Sequence, residues 1–424
     1  MLSSMLLVGL VVLGQAGPAA EDDLRLEVRS LVRQLDAPQL GQREAAEKEL
    51  TALGPKVLDL LPQTTDRTSA EVKLRLGRVR QKLQRMVAES AAKGSPVTLR
   101  GEALPLCDVF ATIQEQTGNK VVFLPGRVAP EQRDRKVNVD FDEMPFWQAL
   151  DRVLDQAELT VYPFGEERAI SVVGRTGTHA ARSAGASYSG PFRFEPARVI
   201  ARRELREPAE SLQVVLEIAW EPRLAPISLK QRLAELEVVD DRGQTLDIDA
   251  RQAVLEVPVN PEATAVELTL PLVLPSRDVK EIALLKGTLR ALLPGRVETF
   301  RFDDLIKARN VDKQAAGVAV TLEQVRRNEA IWEVRVRVRF DRASGALESH
   351  RGWIFNNPAY LEGPDGKPIP NDGFETTRRT EDELGIAYLF ELEGPPAGLT
   401  FVYKTPGTII ATGFDYEIKG LKLP

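Results

Sequence analysis

The chain of 424 residues contains one cysteine, Cys107, and two histidines, His179 and His350. A single cysteine excludes an intrachain disulfide and a cysteine-based zinc site. So few histidines also exclude most metal sites and most histidine-based acid–base schemes, and the sequence predicts neither a metal ion nor a cofactor. The formal net charge of −6 provides no overall attraction to nucleic acid or to anionic lipid.

The sequence also lacks the short motifs of the common enzyme classes. It has no HExxH zinc motif, no nucleophile elbow, no phosphate-binding glycine loop and no redox CxxC pair. Acidic clusters at 140–143, 247–249 and 381–383 lack the loop spacing of a calcium site. We therefore predict that the protein is not an enzyme. A hydrolase remains an alternative, because the two carboxylates of a glycoside hydrolase can come from distant positions and meet only in the fold.

One stretch of the chain is apolar enough to suggest an export or membrane segment. Residues 6–13 form an apolar run, small residues follow at 14–20, and an acidic polar sequence begins at Glu21. This pattern predicts a signal peptide at 1–20, although no Lys or Arg precedes the run. The run is shorter than the roughly 20 residues that a membrane helix needs, so an uncleaved anchor is the less favoured alternative. We expect export to a periplasmic or extracellular location, and a bacterial periplasm fits a protein without disulfides.

The clearest positive feature is a segment that repeats itself forty positions later. Residues 97–122 align with residues 137–162 without a gap. Each copy predicts a strand, a helix that begins at Leu-Pro-Leu or Met-Pro-Phe, and a second strand. Residues 169–173 add a last strand. A duplicated unit of this kind forms one small sheet-and-helix module, a shape that serves docking more often than catalysis.

This module, predicted over 96–174, resembles the short N-terminal (STN) domain of secretins and TonB-dependent receptors. The resemblance rests on the β-α-β-β-α-β order, the two prolines that open the helices, and Gln116-Thr117-Gly118 before a strand. It implies a periplasmic domain that contacts other proteins and has no catalytic residues. No secretin pore or receptor barrel follows in this chain, so the resemblance does not imply transport.

The segment before the module predicts helices over 21–90. Apolar residues recur at helical spacing in four stretches, and Gly54-Pro55 separates the second from the third. The sequences at 43–50 and 71–75 resemble a HEAT-type helical repeat. Only about one and a half repeats are present, fewer than a solenoid needs for a continuous core. We therefore expect a small helical cap that binds a partner.

The segment after the module changes to a β pattern. A linker rich in Gly, Ala and Ser is predicted at 175–190, followed by two β units at 191–303 and 316–424. Strict alternation over 332–340 is the strongest strand signal. The expected fold class is multidomain α+β: a helical segment, the duplicated module, and two antiparallel immunoglobulin-like β-sandwiches.

Two groups of residues are candidate contacts for a ligand or partner. Cations follow one stripe of the fourth predicted helix and suit an acidic partner or an envelope polyanion, although a solvated basic face is the ordinary alternative. Aromatic and amide side chains cluster near 353–360 and suit a sugar ring or a protein contact, although a tryptophan that packs against the core is the alternative. The first group is Arg75, Arg78, Lys82 and Arg85, and the second is Trp353, Phe355, Asn356, Asn357 and Tyr360.

Two further predictions concern residues that we do not expect to bind a ligand. Arg335, Arg337 and Arg339 share one face of a strand and are expected to pair with acids such as Glu391 and Glu393. Cys107 occupies the position that Trp147 occupies in the second copy of the repeat, and it is expected to be a small buried residue.

The favoured function is therefore an exported interaction or scaffold protein of the bacterial cell envelope, with a protein partner. Binding of a carbohydrate or envelope polymer through 353–360 is the first alternative, and the hydrolase is the second. No nucleic-acid partner and no membrane span after signal cleavage are expected.

Overall fold

The computed structural model shows a mixed α+β protein in which strands hold 47% and helices 24% of the described residues. The mixed α+β class predicted from the sequence is thus confirmed. The chain divides into a unit at Met1–Met86 and a unit at Val87–Pro424. The structure describes residues 18–62, 68–163, 165, 168–175, 185–204, 206, 210–257, 259–260, 262–341, 346–347 and 352–424.

Parts of the sequence predictions fall beyond these residues. Of the signal peptide expected at 1–20, residues 1–17 lie outside the described chain, as do His179 and His350. In the described part of the chain, no helix combines the length and the apolar character that crossing a membrane requires.

The first unit is helical, as its periodic apolar residues predict. Gly54, with φ of +79°, and Pro55 begin the short 3₁₀ turn, because glycine adopts this backbone conformation without strain and proline suits a first helical position. Buried side chains from all four segments form its core, among them Val28, Leu50 and Leu76. The segments are α1 (Pro18–Gln34), α2 (Leu40–Ala52), the 3₁₀ turn (Pro55–Leu60) and α3 (Ala70–Ala91).

The duplicated segment folds into one module with a single core. β1 and β3 form a two-stranded antiparallel sheet, while β2, β5 and β4 form a second sheet in which β2 and β5 are parallel. The elements are β1 (Pro96–Pro105), α4 (Leu106–Thr117), β2 (Val121–Phe123), α5 (Pro130–Arg133), β3 (Lys136–Pro145), α6 (Phe146–Ala157), β4 (Leu159–Tyr162) and β5 (Ile170–Gly174).

The two copies within this module have the same local structure. Each has a ten-residue strand followed directly by a twelve-residue helix. Ala103 and Glu143, forty positions apart, both have positive φ, of 53° and 46°. The pairing of β1 with β3 is symmetric as well, because Val97 faces Met144 while Leu104 faces Val137. Residues of both copies belong to one buried cluster, so the halves share a core.

The strands among the remaining described residues pair antiparallel, and two short 3₁₀ turns, Leu233–Glu235 and Trp353–Asn356, lie between them. The strands of the first stretch are β6 (Ser187–Ser189), β7 (Phe192–Arg203), β8 (Glu210–Trp220), β9 (Ser228–Arg232), β10 (Glu237–Asp240), β11 (Val254–Val257), β12 (Ala265–Leu272) and β13 (Glu281–Pro294). β6 lies inside the stretch predicted as a linker at 175–190, of which residues 176–184 are outside the described chain.

The second stretch supplies ten more strands. The alternation predicted at 332–340 lies within β17. The strands are β14 (Val297–Phe302), β15 (Arg309–Ala315), β16 (Val318–Asn328), β17 (Ile331–Phe340), β18 (Ala359–Glu362), β19 (Pro368–Pro370), β20 (Gly373–Arg379), β21 (Glu383–Glu391), β22 (Thr400–Pro406) and β23 (Ile409–Lys422).

These strands form four sheets around two cores. The sheet β12-β8-β7-β6 and the sheet of β9, β10, β11, β13 and β23 contribute to one buried cluster. The sheets β14-β22-β18-β19 and β15-β16-β17-β21-β20 contribute to the other. Ala219 on β8 and Ala265 on β12 belong instead to the core of the duplicated module. The outer face of this first sheet therefore packs against the module.

The boundary predicted between the two β units needs correction. β14 was expected in the first unit but pairs with β22 in the second, and β23 was expected in the second unit but pairs with β13 in the first. The register is continuous from Glu281 opposite Lys422 to Phe302 opposite Phe401. Between the two ladders, the amide of Gly295 donates to the carbonyl of Thr408. One long antiparallel ribbon therefore enters both cores.

Candidate functional site

The first candidate site is the basic stripe of α3, in which one member is buried and the other three are exposed. Arg75 is buried, at 5% exposure, because it lies between the apolar positions Val72, Leu76 and Val79 on the helix face that packs against the other helices. Its guanidinium donates to Glu71 at 2.7 Å and to Glu47 at 3.0 Å. Arg75 thus supports the site from within and is not a surface contact.

A single carboxylate, that of Glu47 on α2, gathers three of the predicted cations. Arg75 and Arg78 each lie 3.0 Å from its Oε2 atom, and the Lys82 ammonium lies 3.4 Å from its Oε1 atom. Glu47 itself is buried. Residues 75, 78 and 82 share one helix face at spacings of three and four, which explains how one acid reaches them all. Three positive charges against one negative charge leave an excess of two.

The Glu47 cluster forms one wall of a groove between α2 and α3, which we call the basic groove. The groove has a volume of about 580 Å³. The Arg78 and Lys82 side chains are 45% and 57% exposed, so their charges face solvent. Arg85 is exposed but does not line the groove. The groove is lined by Glu44, Glu47, Lys48, Thr51, Ala52, Arg75, Arg78, Lys82 and Met86.

The charges of the basic groove are held in place by a further acid. Glu71 accepts from Arg75 through its Oε1 atom, and the Arg43 side chain lies 3.4 Å from the same atom. The hydrogen bond from Arg75 lowers the pKa of the Glu71 carboxyl group. Counting the lining residues alone, four cations face two carboxylates. The groove can therefore accept a carboxylate-bearing ligand without first breaking all of its internal pairs.

The second candidate site, at 353–360, is built mainly from internal contacts. The Trp353 indole donates to the carbonyl of Ala346 at 2.6 Å, and its ring packs against Phe340 at a centroid distance of 5.9 Å. Asn357 donates to the Tyr403 hydroxyl at 3.1 Å and to Thr405 at 2.9 Å. The indole and this amide therefore serve the second β core and are not open platforms for a sugar.

The exposed part of this second site is a different aromatic pair. Phe355 stacks on Phe374 with a centroid distance of 4.9 Å and an angle of 8°. Phe374 is 42% exposed. Asn356 is also exposed, while Tyr360 is half-buried with the Lys404 ammonium 5.8 Å from its ring centroid. Sequence reasoning missed Phe374 because two turns and the strand β19 separate β20 from the cluster.

Two carboxylates on neighbouring strands line one cavity. Glu195 on β7 and Glu217 on β8 are direct cross-strand partners and line a cavity of about 1060 Å³. The buried guanidinium of Arg193 lies 2.7 Å from Glu195 and 3.7 Å from Glu217. Both acids thus belong to one buried ion-pair network, an arrangement that also occurs in purely structural clusters.

This network joins the duplicated module to the first β core. Arg193 and Asp151 are both fully buried and lie 2.7 Å apart, and the Tyr188 hydroxyl donates to the same Asp151 oxygen at 2.7 Å. Burial alone would lower the pKa of Arg193, but the carboxylates of Asp151 and Glu195 outweigh it, and the pKa is raised. The Trp147 indole donates to the carbonyl of Pro191 at 3.0 Å. Helix α6 is therefore anchored to the start of β7.

A second buried carboxylate makes a parallel connection. Glu221 accepts from the amide of Ser95 at 2.8 Å, from the Asn119 side chain at 2.8 Å and from Arg223 at 2.6 Å. Ser95 precedes the module, Asn119 belongs to it, and the two charged residues follow β8. Two charge clusters, formed around Asp151 and Glu221, thus fasten the module to the first β core.

Two of the sequence predictions outside these sites are wrong. Cys107 is exposed, because the surface of α4 at this position faces solvent. The corresponding surface of α6 is covered, and Trp147 is buried there. Arg335 pairs with Glu333, and Arg337 lies 3.8 Å from Glu323 and from Glu383, so the expected partners Glu391 and Glu393 are not used. Register explains the second error, since Glu391 faces Ile331 at the far end of β17.

The described chain gives no metal centre, since no group of three or more His, Cys, Asp or Glu side chains within it could hold a metal ion. Comparison of the chain with protein-family models, curated proteins and solved structures gave no match. The features of the described chain that bear on function are the basic groove and the two charge clusters.

Proposed function

We propose that the chain is an exported, non-enzymatic scaffold or interaction protein of a bacterial cell envelope, periplasmic or extracellular, and that its helical unit binds an acidic segment of a partner protein. In this proposal the helical unit is a HEAT-like cap, the duplicated module is STN-like, and the two β cores are immunoglobulin-like sandwiches. The observation that carries the proposal is the excess positive charge of the basic groove.

The geometry of the groove supports binding of an acidic segment. Arg75 and Glu47 are buried and fixed, while Arg78 and Lys82 extend from the same face into solvent. An incoming carboxylate can therefore replace one interaction of Arg78 or Lys82 while Glu47 keeps its pair with Arg75. Fixed cations in a concave surface raise the association rate and the specificity for an acidic partner more than its intrinsic affinity.

The charge clusters support a scaffold role for the larger unit. Asp151 with Arg193, and Glu221 with Arg223, are pairs in which at least one member is fully buried. In this proposal the two pairs hold the elements that they join in one arrangement. The continuous ribbon of β13–β14 with β22–β23 supports the same role for the two β cores. A protein that holds several modules in one arrangement suits docking of partners.

The proposal is tested with a fluorescently labelled hexaglutamate peptide and the full chain. We expect fluorescence polarisation to show binding that weakens as salt rises from about 0.05 M to 0.5 M, because the contacts are exposed and screened. Hexalysine should not bind. The Arg78→Gln/Lys82→Gln variant should lower the affinity on the order of tenfold, the effect of losing two charge-assisted contacts.

The matched control changes two exposed lysines of the same unit that do not line the groove, Lys56 and Lys73. Lys56→Gln/Lys73→Gln has the same change in net charge and should keep the wild-type affinity within about twofold. Equal losses in the two variants would show general charge attraction and would overturn the proposal. Thermal melting of each variant verifies that the helical unit is folded.

A further inference from the structure

A third cavity lies at one end of the first β core, far along the chain from the basic groove. It has a volume of about 470 Å³, within the range of small-molecule sites. It is bounded by the end of β7, the start of β8, the segment between β12 and β13, and the residues after β23. The lining residues are Ala201, Arg202, Arg203, Leu212, Leu274, Pro275, Ser276, Arg277, Val279, Lys280, Leu423 and Pro424.

The floor of this cavity is apolar. Leu212 is fully buried and belongs to the first β core, and Val279 is nearly buried. Leu274 and Leu423 pack against that core while remaining half-buried. An apolar ligand that covered Leu274 and Leu423 would remove their remaining surface from water, and each buried methylene would strengthen binding about three- to fourfold.

The walls of the cavity are basic. Four lining residues carry positive side chains and none carries an acidic one, whereas the other two cavities each include glutamates in their lining. Arg202 pairs with Glu204, and Arg203 lies 2.8 Å from Glu210, so these two cations are partly neutralised.

The other two cations remain available to a ligand. The Lys280 ammonium donates to the carbonyl of Arg277 at 2.7 Å, and neither residue makes a salt bridge with a carboxylate of the described chain. Both side chains are exposed at the mouth of the cavity.

We infer that this cavity binds a single-chain anionic amphiphile, with its carboxylate or phosphate against Arg277 and Lys280 and its alkyl chain on the floor of Leu212, Leu274 and Leu423. The juxtaposition of an apolar floor with unneutralised cations is the complement of such a molecule. A wholly polar anion would leave the floor exposed to water, and an uncharged lipid would leave both cations without a partner. The inference is independent of the basic groove.

The test uses fatty acids as monomers below their micelle concentration, measured by isothermal titration calorimetry on the full chain. Affinity should rise from hexanoate to octanoate to decanoate by on the order of tenfold per two methylenes. Decan-1-ol and decyltrimethylammonium, which keep the chain and lose the negative charge, should bind at least about tenfold more weakly than decanoate.

Variants separate the head-group contact from the floor. Arg277→Glu/Lys280→Glu should weaken decanoate binding on the order of tenfold or more and leave decan-1-ol unchanged. Leu423→Ser should weaken decanoate and decan-1-ol alike. The control, Lys136→Glu/Lys307→Glu, alters two exposed lysines outside the cavity and should bind decanoate as the wild type does.

Two outcomes would overturn the inference. One is the absence of decanoate binding at millimolar concentration, and sedimentation of the chain with phosphatidylglycerol vesicles would then indicate a membrane-surface patch. The other is an equal loss of affinity in the cavity variant and the control variant. Melting curves of each variant show that lost binding does not reflect unfolding.

Discussion

Gln116 and Gln156, forty positions apart, make the same pair of hydrogen bonds to the strand of their own copy. The Gln116 side-chain amide donates to the carbonyl of Thr98 at 2.8 Å and accepts from its amide at 2.9 Å. Gln156 does the same with Asn138, at 2.9 and 3.0 Å. Each side-chain amide therefore forms with its strand the two hydrogen bonds that a backbone group of a neighbouring strand would form. The duplication seen in the sequence thus extends to individual hydrogen bonds.

The first prediction concerns these glutamines. Gln116→Ala and Gln156→Ala should each lower the free energy of unfolding by about 0.5–1.5 kcal/mol, the usual net value of an intramolecular hydrogen bond. Gln114, exposed on the same helix, serves as the control, and Gln114→Ala should have little effect. Urea denaturation measures all three. A loss at Gln116 no larger than that at Gln114 would contradict the structural role.

The second prediction concerns the buried pair of Asp151 and Arg193. Asp151→Ala should lower the free energy of unfolding by about 3–5 kcal/mol, because it leaves a buried guanidinium without its nearest carboxylate. The double variant Asp151→Leu/Arg193→Met should not recover that loss, because Glu195 and Glu217 then face each other without the guanidinium that they share.

The control for this pair is the exposed salt bridge of Arg100 with Asp140, at 3.0 Å between β1 and β3. Asp140→Ala should cost less than about 1 kcal/mol, because both partners are solvated. Guanidinium denaturation measures each variant. A double variant as stable as the wild type would contradict the account of this cluster.

The third prediction concerns pH. Hydrogen bonds from Arg326, Asn328 and Arg335 lower the pKa of Glu333 from its ordinary value of 4.5 to about 2, with Arg326 contributing most. A carboxyl group whose pKa is lower in the folded state stabilises that state above its unfolded pKa and loses the effect as pH falls through the folded value. The stability contributed by Glu333 should therefore be complete above about pH 4.5 and disappear towards pH 2.

The measurement compares the wild type with Glu333→Gln across that range. The difference in free energy of unfolding should be largest at neutral pH and shrink steadily below pH 4.5. A difference that is constant between pH 7 and pH 2 would show that the ionisation of Glu333 does not stabilise the second β core.

The fourth prediction concerns the joint between the two β cores. A Cβ atom on Gly295 would lie 2.9 Å from the Thr408 carbonyl oxygen, closer than real contacts allow. Gly295→Ala should therefore push apart the paired segments around Gly295 and Thr408 and lower the melting temperature. Gly394 has open space around its Cβ position, and Gly394→Ala serves as the control. Equal melting temperatures for the two variants would contradict a continuous ribbon.

The sequence was sufficient for features that depend on local pattern. The helices of the first unit, the strand–helix repeat and the strong strand at 332–340 follow from apolar spacing, because burial of one face sets that spacing. The common core of the two copies was also expected, since neither half can bury its helix alone.

Features that depend on contacts between distant residues could not be predicted from the local sequence pattern. β14 and β23 alternate like any other strand, so nothing in their residues indicates the sheet that each one joins. Arg75 and Arg78 look alike in a basic stripe, yet three positions of helix separate a buried side chain from an exposed one. Phe374 and the cavity beside Arg277 and Lys280 are assembled from segments that only the fold brings together.

The most direct test of the proposed function exchanges the charge of the basic groove. Its lining has four cations and two carboxylates, and Arg78→Glu/Lys82→Glu converts these numbers to two cations and four carboxylates. We expect the wild type to bind hexaglutamate and reject hexalysine, and the variant to reverse both preferences under the same conditions. A folded variant that binds neither peptide differently from the wild type would contradict the claim that this groove recognises an acidic partner.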